Sequence, residues 1–191
     1  MRGVRAASLA LVLVAGCRPP AGSSADPVWT RVESMLVPRV SGPYRIVEVG
    51  EYPEPSLGTF VRYAVPDSLP QRYPPFDLFV YPVGHRDIGA EAAAARAELR
   101  LMDQSRPGVR ASIGETDTIL TLNVQHPVVR TVVTGAVDTV SIRSFLYLTR
   151  IDNRFLKFRV TYRDDWPAAA DRSMERRVER IVEDVVRRRA E

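Results

Sequence analysis

The chain has 191 residues, 45% of them hydrophobic and 26% charged, an ordinary balance for a globular protein. Its formal charge of +4 is too small to demand a nucleic-acid partner, and Lys157 is the only lysine, so nearly every positive charge is an arginine. A single cysteine excludes an internal disulfide, so a folded domain must hold together without one.

Arg2 and Arg5 precede an apolar stretch from Ala6 to Ala15, which the run Val14-Ala15-Gly16-Cys17 closes. As a helix that stretch reaches about 15 Å, half of a ~30 Å hydrocarbon core, too short to remain as a spanning anchor. A basic start, a short apolar middle and small residues at the end are the pattern of a cleaved signal. With the cysteine in its place, residues 1–16 resemble a bacterial lipoprotein signal peptide ending in a lipobox. An ordinary secretory signal with a chance cysteine and a buried N-terminal helix are the competing readings. Arg18-Pro19-Pro20 speaks against the buried helix.

The resemblance implies that Cys17 is the lipidation site and the new N-terminus, carrying a diacylglyceryl group and often a third fatty chain, palmitate for example. At ~0.8 kcal/mol per buried methylene, one acyl chain holds weakly and two or more hold stably. Arg18 follows Cys17 where an inner-membrane retention signal would place Asp. In a Gram-negative envelope the resemblance then implies the outer membrane, facing the periplasm. Arg2 and Arg5 leave with the leader, which lowers the charge to +2. An exported protein also meets little nucleic acid, so none is expected as a partner.

Residues 18–27, Arg-Pro-Pro-Ala-Gly-Ser-Ser-Ala-Asp-Pro, read as a flexible tether of roughly 16–19 Å average span. Residues 28–191 are left as one globular domain, a usual size that buries ~70% of its unfolded surface. A short helix is expected first. Asp26 would cap it, Pro27 suits its first turn, Trp29, Val32 and Leu36 share a face, and Pro38 stops it. Strands follow at Tyr44–Val49, Thr59–Val65 and Phe76–Val83. The last is the most apolar and reads as central, with Pro82 marking its end. The loop from Pro66 to Pro75 is rich in proline and polar residues. A helix opens at Gly89 and runs to about Met102, with Ala92, Ala95, Leu99 and Met102 inward, until Arg106-Pro107-Gly108 ends it.

The second half is β-rich, with strands expected at Asp117–Val124, Val128–Thr134, Thr139–Arg150 and Arg154–Tyr162. Asp152-Asn153 is a two-residue turn, since both tolerate positive φ. That register pairs Thr149 with Leu156, Tyr147 with Phe158 and Phe145 with Val160 on one aromatic and aliphatic face. The other face is mixed: Leu146, Leu148 and Arg150 lie against Arg159, Lys157 and Phe155. A final helix starts near Pro167, with Asp164 or Asp165 as its cap. Met174, Val178, Ile181, Val182, Val185 and Val186 form its apolar stripe, and its other faces are arginine and glutamate, which reads as a helix docked on the sheet, with a membrane-surface or partner helix as the alternative.

Catalytic chemistry has little foothold. His85 and His126 stand far apart without ligand partners at metal-binding spacing, so no metal or other cofactor is expected. There is no Gly-x-Ser-x-Gly elbow, no Ser-x-x-Lys and no glycine-rich phosphate loop. The carboxylates Glu51 and Glu54, in a Tyr-Pro-Glu-Pro loop, and Asp164 with Asp165, beside Trp166, are the remaining acid–base option. No catalytic residue is assigned. A partner surface is expected on the mixed hairpin face at Arg150, Lys157 and Arg159, with the Tyr-Pro pairs at Tyr52, Tyr73 and Tyr81 as further contact groups.

The element order is several antiparallel strands, a helix, more strands with a long final hairpin, then a C-terminal helix. It resembles the PsbP-like α/β/α sandwich domains of exported and lipid-anchored proteins, over roughly residues 40–190. The resemblance implies an α+β fold, an antiparallel sheet flanked by helices, and transfers no site. The expected protein is a non-enzymatic, lipid-anchored envelope module that binds a protein partner or supports an assembly. A carrier of a small apolar ligand and a hydrolase with an unrecognised site are the alternatives. An apolar-lined pocket would favour the first and a cluster of perturbed carboxylates or histidines the second.

Overall fold

The computed structural model describes residues 28–66, 73–105, 109–113, 118–120, 126–166 and 169–189. The expected leader (residues 1–16), Cys17 and the expected tether (residues 18–27) lie outside the described residues. So do residues 67–72 of the proline-rich loop, Arg106-Pro107-Gly108, residues 121–124 of the expected 117–124 strand, and Pro167.

The helix expected over Trp29–Leu36 is instead a hairpin of β1 (Trp29–Val32) and β2 (Met35–Pro38). Three apolar residues at helical spacing are too few to define a period, and the buried set is Val32, Met35 and Val37. Glu33 takes the left-handed conformation at the turn (φ 54°). Tertiary bonds hold the hairpin down. The buried Tyr63 hydroxyl donates to the Pro38 carbonyl at 2.7 Å, and Glu33 accepts from the Thr59 hydroxyl at 3.1 Å and from Arg154 at 3.5 Å.

Among the described residues, the remaining strands form one nine-stranded antiparallel sheet. They are β3 (Val40–Ser41), β4 (Tyr44–Glu51), β5 (Thr59–Ala64), β6 (Phe76–Pro82), β7 (Val109–Ile113), β8 (Thr118–Leu120), β9 (Val128–Val137), β10 (Val140–Ile151) and β11 (Arg154–Arg163). Their spatial order is β3-β4-β5-β6-β11-β10-β9-β7, with β8 sharing the outer side of β9 with β7. The β10–β11 register is the one read from sequence: Thr149 faces Leu156, Tyr147 faces Phe158 and Phe145 faces Val160. Asp152 takes positive φ (52°) at the turn. β6 is central, between β5 and β11, and ends at Pro82. In β4 the register shifts between Ile46 and Glu48, so the simple alternation expected there breaks. Glu48 then lies opposite Arg62 and Val49 opposite Val61.

Period-two alternation gives the sheet two different faces. One carries Tyr63, Phe76, Leu78, Val80, Tyr147, Leu156 and Phe158, all fully or almost fully buried. It is covered by the β1–β2 hairpin and by α2 (Ala169–Arg189), whose stripe Met174, Val178, Ile181, Val182 and Val185 enters the same core. Each such side chain contributes roughly 1.5–3 kcal/mol by leaving water. The other face is covered by α1 (Ile88–Ser105) over Leu146, Leu148, Val129 and Phe155, against Ala92 and Ala95. The Leu99 and Met102 side chains lie outside the described residues. Beyond α1 that face is polar: Arg62 bridges Asp77 and Glu48 at 2.8 and 3.0 Å, with Arg62 and Glu48 exposed and Asp77 half-buried. The architecture is α+β, a helix on each face of an antiparallel sheet.

Candidate functional site: a groove of aromatic and charged residues

A groove of about 620 Å3 opens where α1 leaves the second face uncovered. Its floor is Phe79 and Tyr81 of β6 with Lys157 of β11. One wall is Tyr52, Glu54, Ser56 and Leu57, from the loop between β4 and β5. The other is the 82–86 turn, with Glu91 and Glu98 of α1 behind it.

The local sequence builds each part. In β11, Leu156, Phe158 and Val160 face the α2 core, so Lys157 between them must face the groove. It stands opposite Phe79 in register. Its ammonium nitrogen lies 5.3 Å from the Phe79 ring centre and 5.2 Å from that of Tyr81, a cation–π geometry worth about 0.5–2 kcal/mol. Gly58 seats the loop wall on the floor. Its φ is +66°, and a Cβ there would collide with the Val80 carbonyl oxygen, so only glycine lets the loop come so close. The Tyr52 amide closes that loop by donating to the Gly58 carbonyl at 3.1 Å.

The wall from α1 depends on one buried carboxylate. Asp87 caps the helix by accepting the Ala90 amide at 2.7 Å. One turn in, Glu91 is only 6% exposed. Its Oε1 accepts the Tyr81 hydroxyl at 2.9 Å and its Oε2 accepts from Arg86 at 3.0 Å. Burial, and then the negative charge of Glu91, push the Tyr81 phenol far above its ordinary pKa of 10.0. The hydroxyl therefore remains a donor, and the triad Tyr81–Glu91–Arg86 is a fixed structural brace. Burial followed by the charge of Asp77 also raises the Tyr52 phenol.

The residues expected on a partner surface divide. Arg150, Lys157 and Arg159 do share the second face, but only Lys157 lines the groove. Arg159 stands opposite Asp77 in register, and Arg150 is exposed and donates to the Asp152 carbonyl at 2.8 Å in its own turn. Of the Tyr-Pro pairs, Tyr52 and Tyr81 line the groove, whereas Tyr73 packs on Tyr44 beside the α2 layer. Asp164 and Asp165, expected as helix caps, hold Arg143 and Arg163, each at 2.9 Å. Glu54 accepts the Ser56 hydroxyl, and Glu51 is exposed. His85 is exposed and lies on the groove rim. Glu91 escaped the sequence reading, because nothing in the Ala-rich run Glu91–Ala97 separates a buried acid from a solvated one. The one available signal was Tyr81, a phenol at a central strand's end that needs an acceptor.

The groove lining mixes aromatic and aliphatic side chains (Tyr52, Leu57, Phe79, Tyr81) with charged ones (Glu54, Arg86, Glu91, Lys157). Among the described residues, no three His, Cys, Asp or Glu side chains are grouped to hold a metal ion.

No family model matches the chain, and no curated protein matches it. Among solved structures it is similar to cyanobacterial PsbP (CyanoP) from Synechocystis sp. PCC 6803, determined in solution. The identity is 8%, the TM-score 0.45, and the likeness covers 80% of this chain and 88% of that one.

Proposed function

We propose that this protein is a lipid-anchored envelope module without catalytic activity that binds a protein segment in the groove on its second sheet face. The observation that carries the reading is Lys157. The only lysine in the chain lies on the floor of an open groove, over two aromatic rings, and has no carboxylate in ion-pair contact among the described residues. A cation so placed meets an acidic side chain of a partner in a partly desolvated site, where a charge-assisted bond is stronger than in open water. Tyr52 and Leu57, both exposed, offer apolar contact to the neighbouring partner residues. Binding suits this groove better than turnover, because its most buried acid, Glu91, has both oxygens engaged and its most buried phenol is held protonated.

The anchor belongs to the same reading. Cys17 with its lipobox would tie the domain to a membrane, the outer membrane in a Gram-negative envelope, with the groove free to meet other envelope proteins. Affinity capture from native envelope tests the groove. The wild-type chain should retain a partner that Lys157→Ala and Tyr52→Ala lose and that the distant Arg163→Gln keeps. Equal capture by all four chains, or turnover of a substrate that depends on Glu91, would overturn the proposal.

A further inference from the structure

The outer surface of α2 is a second charged feature, on the opposite side of the molecule from the groove. Its inward stripe is apolar and buried, and the residues turned away from it are mostly arginine. Arg172, Arg176, Arg180 and Arg187 are all exposed. At 100° per residue they fall within about 80° of one another around the helix axis. Among the described residues, none of the four is in an ion pair. The helix also carries five acids, but two of them are turned to the sheet: Asp171 binds Arg143 at 3.3 Å and Glu175 binds Arg130. Glu183 is the acid nearest the middle of the arginine row, and it, Glu179 and Asp184 are less exposed than the four arginines. Arg31 of β1, exposed in the same layer, extends the basic surface onto the hairpin.

The described chain begins beside this surface. The first described residue is Val28, and the next, Trp29, has its ring 4.9 Å beneath the guanidinium of Arg188 in the last turn of α2. The chain therefore enters the domain beside the C-terminal end of the arginine row. Eleven residue steps separate Val28 from Cys17, a reach of at most about 40 Å even when fully extended. An acyl group on Cys17 thus keeps the α2 layer near the bilayer that it enters.

We infer that the arginine row of α2 is a membrane-docking surface that binds the anionic headgroups of the bilayer in which Cys17 is anchored. The inference rests on the lipid-anchor reading for its orientation, while the binding itself needs only the exposed arginines. Acyl chains and a basic patch are the usual pair of signals for a stable peripheral attachment. Docking on α2 turns the other face of the sheet, with its groove, away from the lipid.

The test uses residues 18–191, which lack the leader and Cys17 but contain every described element. Co-sedimentation is measured with vesicles of phosphatidylcholine alone and with vesicles containing about one-third phosphatidylglycerol. The chain should bind the anionic vesicles at low salt, leave them at about 0.5 M salt, and ignore the neutral ones. Arg172→Gln with Arg176→Gln, and separately Arg180→Gln with Arg187→Gln, should each lower the partition at least tenfold, at about fivefold per arginine. Arg150→Gln with Arg159→Gln, on the groove side, should leave it unchanged. Equal binding to both vesicle types, or equal loss from the groove-side pair, would overturn the inference, and the wild-type comparison decides even if a variant misfolds. Mass spectrometry of Cys17 reports the anchor separately, so either claim can fail alone.

Discussion

Replacing Glu91 with alanine tests whether α1 and the groove floor are braced as described. The substitution leaves the buried Tyr81 hydroxyl without its acceptor, which costs about 1–3 kcal/mol. Loss of the Arg86 pair adds at most about 1 kcal/mol, because the Arg86 side chain is 59% exposed. The expected total is therefore about 1–4 kcal/mol. Glu91→Gln keeps an oxygen for Tyr81 and should cost only about 1 kcal/mol. Urea unfolding at neutral pH reads these values from the midpoint, with an unchanged slope. The cycle with Tyr81→Phe is the sharper arm. Removing the orphaned hydroxyl should recover part of the loss, so the double variant is less destabilised than the two singles summed. A Glu91→Ala chain within about 0.5 kcal/mol of wild type, or strict additivity in the cycle, would refute the brace.

Gly58→Ala should cost about 3 kcal/mol or more, because the added Cβ meets the Val80 carbonyl and Tyr81 Cα in a backbone conformation that favours glycine, and thermal melts will show it. Ile181→Ala, in the middle of the buried α2 stripe, should cost about 2–5 kcal/mol, and a chain ending after Pro167 should show no cooperative melt at all. Alkaline titration has a definite sign. Burial raises Tyr44 to about 12 and pushes Tyr63, Tyr81 and Tyr147 higher still, so the folded chain keeps protons that the unfolded chain releases above pH 10. The contribution of these tyrosines to stability should be constant below pH 10 and be lost as pH rises through the folded values, with tyrosinate absorbance appearing together with unfolding. Tyrosinate from these four at pH 10 in a still-folded chain would contradict their burial.

The hairpin of β10 and β11 was legible because two signals agreed: ten-residue alternation on each side, and an Asp-Asn pair able to turn between them. α2 was legible from six apolar residues on one stripe. The β1–β2 hairpin was not, since eight residues with a Glu-Ser turn carry no turn signature and match either period. The β4 shift at Val47 was hidden for a related reason: Ile46, Val47 and Val49 are all β-formers, and only the facing residues of β5 decide which of them turn inward. In the groove, Lys157 followed from the hairpin register alone. Its aromatic neighbours Phe79 and Tyr81 come from β6, 78 and 76 residues earlier in the chain, and Glu91 joins them only through α1, which no local pattern connects to Tyr81.

The proposed anchoring turns on Cys17, which closes the lipobox-like run Val14-Ala15-Gly16-Cys17. Intact-mass and peptide mass spectrometry of the protein from its native envelope tests it directly. The account predicts an N-terminus at Cys17 carrying a diacylglyceryl group on its sulfur. An uncleaved leader, or a free thiol at Cys17, would contradict it.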